Sequence, residues 1–157
     1  MKSFASAARP AGQPIPNYIG GQWIPSPTTD SLPLVNPATG EALARVPLSG
    51  AAEVDAAVQA ARAAFPGWRR TPPVIRARSL FALKTLLEAH FDELAAIVTQ
   101  ENGKTIDEAR GSVRRGIENV EHACGIPTLM MGATLEDVAS GIDCEFVRQP
   151  MGVFAAI

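Results

Sequence analysis

The stretch DELAAIVTQENGKTIDEA, residues 92–109, contains the end of one amphipathic helix and the start of the next. Leu94 and Val98 are four residues apart, which places both side chains on one face of a helix. Asn102-Gly103 is a typical helix stop, because these residues tolerate the left-handed backbone that closes a last turn. The sequence therefore predicts one helix that ends at residue 102 and another that begins at about Thr105.

The upstream helix is predicted to begin after Thr71-Pro72-Pro73, because proline is favoured in the first turn of a helix. A joint between two helical segments is expected near His90. The same apolar stripe is continued by Leu80, Leu83, Leu87 and Phe91.

The helix predicted from about Thr105 to Cys124 has two different faces. At 100° per residue, one face is an apolar stripe that is expected to enter the core: Ile106, Val113, Ile117 and Val120. The roughly opposite face is polar: Arg115, Glu118, Asn119 and His122. From the residues alone, this polar face is interpreted as solvent-exposed, and the adjacent Met130 and Met131 are interpreted as core-filling side chains.

Residues 17–48 predict a strand-rich arm. Gly20-Gly21 stands between apolar residues, as a tight hairpin turn requires. NPATGE, residues 36–41, contains the residues of a second turn, which would make residues 34–35 and 43–46 antiparallel neighbours.

A first helix is predicted to follow this arm. Ser49 is the expected N-cap, and Pro66-Gly67 is the expected stop, with Trp68 packed beneath the helix end. The stripe predicted to be buried on this helix is Val54, Ala57, Val58, Ala61 and Phe65.

The last part of the chain predicts strands. Residues 142–150 alternate loosely between apolar and polar, and residues 151–157 are apolar throughout, which is typical of a strand buried on both faces. Residues 1–16 are predicted to be a flexible leader, so that the folded part would span 17–157.

Composition excludes several partners. A formal net charge of -2 and no clustered Lys or Arg disfavour nucleic acid and anionic membrane surfaces. The longest apolar run is far shorter than the ~20 residues that cross a bilayer. Cys124 and Cys144 do not form a disulfide framework, so both are interpreted as reduced, buried thiols. We expect a cytoplasmic protein, with the mitochondrial matrix as the alternative because the leader contains two cations and no acid.

No catalytic constellation is visible in the sequence. It contains no Gly-x-Gly-x-x-Gly turn, phosphate loop, Gly-x-Ser-x-Gly elbow or His-Glu-x-x-His pair. His122 and Cys124 are two residues apart, so on a helix they point about 200° apart. No catalytic residue, cofactor-binding residue or metal site is predicted, and the residues alone indicate an α+β chain of unassigned function.

Four motifs nevertheless occur in a distinctive order: NYIGGQW (17–23), NPATGE (36–41), AEVDAAVQAARAAFPGW (52–68) and the stretch at 92–109. Together they resemble the N-terminal part of an NAD(P)-dependent aldehyde dehydrogenase. The resemblance implies an α/β fold that is incomplete in this chain: an N-terminal β-hairpin arm, a helical layer, and then the first strands of an oligomerisation hairpin and of a Rossmann-like sheet. Residues 17–157 would form the N-terminal part of the NAD-binding domain, with 141–150 belonging to the oligomerisation strand.

RGIENVEHACGIPTLMMGATLEDV (115–138) followed by RQPMGVFAAI (148–157) is similar to the CoA-acylating methylmalonate-semialdehyde (malonate-semialdehyde) dehydrogenases. That branch uses NAD and coenzyme A to convert a semialdehyde to propionyl-CoA or acetyl-CoA and CO2, and its members form homo-oligomers. The resemblance implies that Arg115 binds the substrate carboxylate, with Asn119 and His122 nearby.

The resemblance also implies that the cofactor-binding residues and the cysteine nucleophile are outside these 157 residues. The chain alone is therefore expected to be inactive and to need the remaining portion of the enzyme as a partner. Two alternatives stay open: part of a dehydrogenase for another acid semialdehyde, such as succinate semialdehyde, and a non-catalytic module that binds full-length homologues.

Overall fold

The structure of the protein, a computed structural model, describes residues 12–157. These residues form two small hairpins, a group of helices and a third hairpin. The elements in chain order are β1 Asn17–Ile19, β2 Gln22–Ile24, β3 Ser31–Val35, β4 Ala42–Pro47, α1 Ala51–Arg70, α2 Pro73–Ala89, α3 Phe91–Asn102, α4 Ile106–Cys124, α5 Ile126–Leu129, β5 Ala133–Ala139 and β6 Ile142–Phe146.

The two predicted N-terminal hairpins are confirmed. β1 pairs with β2 across Gly20-Gly21, where both residues have positive φ, and β3 pairs with β4 across the turn at 36–41. The leader predicted at residues 1–16 lies mostly outside the described residues. Within it, Ile15 N–H donates to the Arg45 carbonyl at 2.9 Å, so residues 13–15 run beside β4.

A polar network joins the first hairpin to α1. Asn17 Nδ2 donates to Ser49 Oγ at 2.8 Å and to Glu53 Oε1 at 3.3 Å, and Ser26 Oγ also donates to Glu53 Oε1. The Ser26 hydroxyl first, and then the Gly50 N–H, which donates to Glu53 Oε2, hold the pKa of Glu53 below its ordinary value. The N-cap of α1 is Gly50, not the predicted Ser49, because the Ser49 hydroxyl bonds Asn17.

The predicted end of α1 at Pro66-Gly67 was wrong, since the helix continues to Arg70. Pro66 removes one backbone donor, but the following N–H groups still have carbonyls four residues back. The stop comes instead at Thr71, whose ψ of 125° is extended because it precedes Pro72.

The stripe predicted to be buried on α1 is mostly exposed, and only Phe65 among its side chains is half-buried. Val54, Val58 and Trp68 are all exposed, and none of the α1 side chains is buried. The reason is that α1 packs mainly against β1, and no other described element covers its apolar side.

The packing centre is formed by α2, α3 and α4. His90 lies between α2 and α3 with φ of -113° and ψ of 21°, which confirms the predicted joint. Small side chains let the three helices approach closely. The buried apolar residues are Ala77, Ala95, Ala109, Ile117 and Cys124.

The stretch at 92–109 has the predicted form. α3 ends at Asn102, and Gly103 takes the left-handed conformation with φ of 80°. Thr105 caps α4. A Cβ at position 103 would lie 2.8 Å from Pro37 Cγ, so the turn between β3 and β4 packs directly on this glycine.

Gly103→Ala is therefore expected to destabilise the joint between α3 and α4 by about 1–3 kcal/mol, through positive φ and contact with Pro37. Amide hydrogen exchange of these helices should accelerate by about 5- to 150-fold. Gly111→Ala in the interior of α4 is the matched control, because a Cβ there meets nothing within 4 Å and should slow exchange. Equal exchange in both variants would contradict the role assigned to Gly103.

The C-terminal part differs from the prediction in two ways. β5 forms where no strand range was predicted, and its register with β6 shifts between Leu135 and Ala139, where Asp137 has a φ of 49°. The strand predicted at 151–157 is absent, and Phe154 is 76% exposed. A strand buried on both faces needs neighbouring strands, and residues 12–157 provide none at this position.

Candidate substrate-carboxylate site on α4

The start of α4 sets which residues face outward. Thr105 Oγ1 accepts from the Glu108 N–H at 3.3 Å, and Glu108 Oε2 accepts from the Thr105 N–H at 3.1 Å. This reciprocal cap holds the pKa of Glu108 below its ordinary value, with the Thr105 hydroxyl as the main cause. Because the cap fixes where the first turn begins, it also determines the direction in which each later side chain of α4 points.

Two arginines on α4 are held by carboxylates of neighbouring helices. Arg110 Nε lies 3.1 Å from Asp92 Oδ1, and Arg114 Nη1 lies 2.7 Å from Glu88 Oε1. These carboxylates raise the pKa of each arginine, and the Arg114 guanidinium also lies 4.7 Å from the centre of the Phe91 ring. Both side chains therefore join α4 to the rest of the helical group.

Arg115 has a different environment. Its side chain is exposed, and its Nη2 donates a long 3.4 Å hydrogen bond to Ser112 Oγ. Among the ion pairs between described residues, none involves Arg115. Its guanidinium fork is therefore available to an anion from outside this segment.

Sequence reasoning missed two residues beside Arg115. Lys104 Nζ donates to the same Ser112 Oγ at 3.1 Å. Ser112 is three residues before Arg115, the spacing of neighbours on a helix, and this signal could have identified it. Lys104 precedes the helix, so no helical period indicated its position.

Asn119 and His122 lie on the exposed side of α4, as predicted. In the described part of the chain, neither forms a hydrogen bond with Arg115. Their proximity to a bound substrate stays a prediction.

The LMMG run, residues 129–132, follows α4, and its first methionine contacts Arg76. Met130 Sδ lies 3.2 Å from Nη2 of Arg76, which is 6% exposed and also donates from Nε to the Thr71 carbonyl. Met130 is half-buried and Met131 is exposed, so neither methionine is part of the buried core that was predicted for them. A Cβ on Gly132 would overlap the carbonyl oxygen of Phe146, so the tight approach of β6 requires glycine there.

Both cysteines are free, as predicted, but only Cys124 is buried, whereas Cys144 is exposed on β6.

Residues 12–157 contain no group of three His, Cys, Asp or Glu side chains that could hold a metal ion. No described helix is long and apolar enough to cross a bilayer.

Comparison with known proteins identifies the family to which this fold belongs. The model of the aldehyde dehydrogenase family matches residues 23–157, and the chain belongs to that family. The family resemblance drawn from the four sequence motifs, and with it the incomplete aldehyde dehydrogenase-like α/β fold, is confirmed.

Two of the curated relatives are malonate-semialdehyde dehydrogenases. The chain is 51% identical over 152 residues to malonate-semialdehyde dehydrogenase 1 of Geobacillus kaustophilus, covering 97% of this chain and 31% of that protein. It is 53% identical over 145 residues to the malonate-semialdehyde dehydrogenase of Bacillus pumilus, covering 92% and 30%. The chain thus spans about a third of the length of these relatives.

Solved structures agree with these relatives. The methylmalonate-semialdehyde dehydrogenase of Oceanimonas doudoroffii is 44% identical with a TM-score of 0.83, covering 88% of this chain and 28% of that one. A Sinorhizobium meliloti protein with the same assigned activity, solved with NAD, is 37% identical with a TM-score of 0.85, covering 92% and 29%.

Proposed function

We propose that this chain is the N-terminal part of an NAD-dependent, CoA-acylating dehydrogenase of malonate or methylmalonate semialdehyde. The intact enzyme would convert the semialdehyde, coenzyme A and NAD to acetyl-CoA or propionyl-CoA, CO2 and NADH. It would be a cytoplasmic homo-oligomer, and residues 141–150 would contribute to the contact between subunits.

One observation carries the proposal. Of the three arginines near the middle of α4, Arg110 and Arg114 are held by carboxylates, whereas Arg115 is not. A substrate that contains both an aldehyde and a carboxylate needs a fixed cation at a distance from the reacting carbon. A bidentate guanidinium suits this role, and Arg115 is the free guanidinium that α4 presents.

The described residues support substrate binding and no more of the reaction. They contain neither a parallel sheet nor a glycine-rich phosphate turn, so they do not form a nucleotide cradle. The groups that hold NAD and coenzyme A would come from the remaining portion of the enzyme.

A hybrid enzyme tests the proposal. The full 157-residue chain would be fused to the part of the Geobacillus kaustophilus enzyme that follows its aligned segment. We expect NADH formation that requires coenzyme A and prefers malonate or methylmalonate semialdehyde to propanal. A folded hybrid that prefers succinate semialdehyde would support the other substrate class, and one that prefers propanal would overturn the carboxylate site.

A further inference from the structure

Two cations converge on one hydroxyl at the exposed side of α4. Lys104 Nζ and Arg115 Nη2 are 3.1 Å and 3.4 Å from Ser112 Oγ. Lys104 reaches this point from the loop before α4, and Arg115 reaches it from one turn further along the helix. The two positive groups therefore both lie within 3.4 Å of a single oxygen.

The Ser112 hydroxyl is fully used in this arrangement. It donates to the Glu108 carbonyl oxygen at 3.1 Å, which leaves its two lone pairs to accept from Lys104 and Arg115. A hydroxyl that bonds the preceding helical turn has a fixed orientation. Ser112 is thus placed to hold both cations on one side of the helix.

No acid within residues 12–157 forms an ion pair with either cation. Glu108, the acidic residue one helical turn before Ser112, has its carboxylate bonded to Thr105. Lys84, by contrast, forms an ion pair, because its Nζ lies 3.2 Å from Glu121 Oε1. The Lys104 charge helps to lower the pKa of Glu108, so Glu108 offsets part of that charge at a longer range than an ion pair. Two like charges held beside one oxygen still repel, and an added anion relieves that repulsion.

We propose that Lys104 and Ser112 complete the carboxylate subsite of Arg115. Lys104 supplies a second positive charge to the substrate carboxylate, and Ser112 is a positioning residue that holds the two cations at one point. This inference rests on the function proposed above, since the anion it assigns is the carboxylate of the semialdehyde.

The hybrid enzyme provides the test. Lys104→Met should raise KM for malonate semialdehyde by about 3- to 10-fold with kcat unchanged, because the contact is the same in the ground and transition states. Ser112→Ala should give a smaller increase of about 2- to 5-fold, because both charges remain. Lys104→Arg should restore KM to near the parent value, and KM for propanal should not change in any variant.

The control is Arg62→Gln, which removes one exposed charge from α1, an element that does not pack on α4. If Lys104→Met raises KM for propanal as much as for malonate semialdehyde, Lys104 has a structural role and the proposal is overturned. It is also overturned if KM for coenzyme A rises instead, since the anion would then be a phosphate of that co-substrate. If Arg115→Gln raises KM for malonate semialdehyde and Lys104→Met does not, this inference is contradicted but the proposed function is not. A parent hybrid with no preference for carboxylated aldehydes would contradict the proposed function.

A second measurement does not need turnover. The chain contains only three lysines, Lys2, Lys84 and Lys104, so acylation by an amine-reactive ester can be assigned by mass spectrometry. Malonate, an unreactive dicarboxylate, should slow modification of Lys104 in the hybrid, and Lys84 should serve as the internal control. Equal rates at Lys104 with and without malonate would overturn the proposal even in an inactive hybrid.

Discussion

Replacing Arg115 with glutamine in the hybrid enzyme is expected to lower kcat/KM for malonate semialdehyde by about 10- to 200-fold, roughly 1.5–3 kcal/mol for a charge-assisted bond. Glutamine is shorter than arginine but keeps a polar end, and it removes the charge and the bidentate fork. Propanal has no carboxylate, so its kcat/KM should change by less than about 3-fold. Steady-state kinetics with both aldehydes measure the difference.

Arg114→Gln is the matched control for this variant. The two arginines are neighbours in sequence, but Arg114 is bonded to Glu88 and lies against Phe91. Its loss should therefore weaken packing between α2 and α4 and lower both activities and the melting temperature together. If Arg115→Gln lowers kcat/KM equally for the two aldehydes, Arg115 also has a structural role. If kcat/KM changes for neither aldehyde, Arg115 is an ordinary solvent-exposed residue.

The isolated 157-residue chain is expected to self-associate and to form no NADH. Large apolar side chains are exposed on separate surfaces, including Val54 and Trp68 on α1, Leu83 on α2, and Met151 and Phe154 near the C-terminus. About 400 Å2 of such surface corresponds to about 10 kcal/mol of burial that the chain alone does not achieve, which is comparable with the stability of a whole domain. The unpaired edges of β5 and β6 provide further points of association.

Size exclusion with light scattering, dye binding and a NAD titration check this prediction. We expect concentration-dependent oligomers that bind a hydrophobic dye, with a defined species recovered when the remaining portion of the enzyme is co-expressed. Met151→Ser with Phe154→Ser should reduce dye binding, whereas Thr134→Ser on β5 should not. A sharp, dye-negative monomer of 16.5 kDa with a cooperative melt would instead support an autonomous interaction module. Saturable NAD binding at micromolar concentration would contradict the expectation that the cofactor site is elsewhere.

Local chemistry explains the predictions that the structure confirmed. Gly20-Gly21 and Gly103 adopt positive φ, which depends on the absence of a side chain at those positions. Thr105 caps α4 through bonds that span three residues. Such features depend on neighbours in the chain, so a pattern of a few residues is enough to predict them.

The burial of side chains was predicted less accurately than the turns and caps, because burial depends on which other elements pack on a face. The apolar stripe of α1 is as regular as that of α4, yet only α4 has helices packed on it, and Ile117 is 1% exposed. Similarly, residues 151–157 have the composition of a central strand but no described strand beside them. The period of the apolar residues shows which face of an element must be buried. It does not show whether another element packs on that face.

The sequence alone was sufficient for the family, the hairpin turns, the ends of α3 and α4, and the polar face that contains Arg115. The family resemblance pointed to Arg115, but only the tertiary structure showed that it differs from Arg110 and Arg114 in its surroundings, because the three guanidinium groups are chemically identical and neighbouring helices bring carboxylates only to the other two. It also brought Lys104 to Ser112, since a loop residue meets a helical face through the path of the backbone and not through any sequence period. The identity of a charged side chain follows from the sequence, whereas its availability to a ligand depends on the charges that folding places around it.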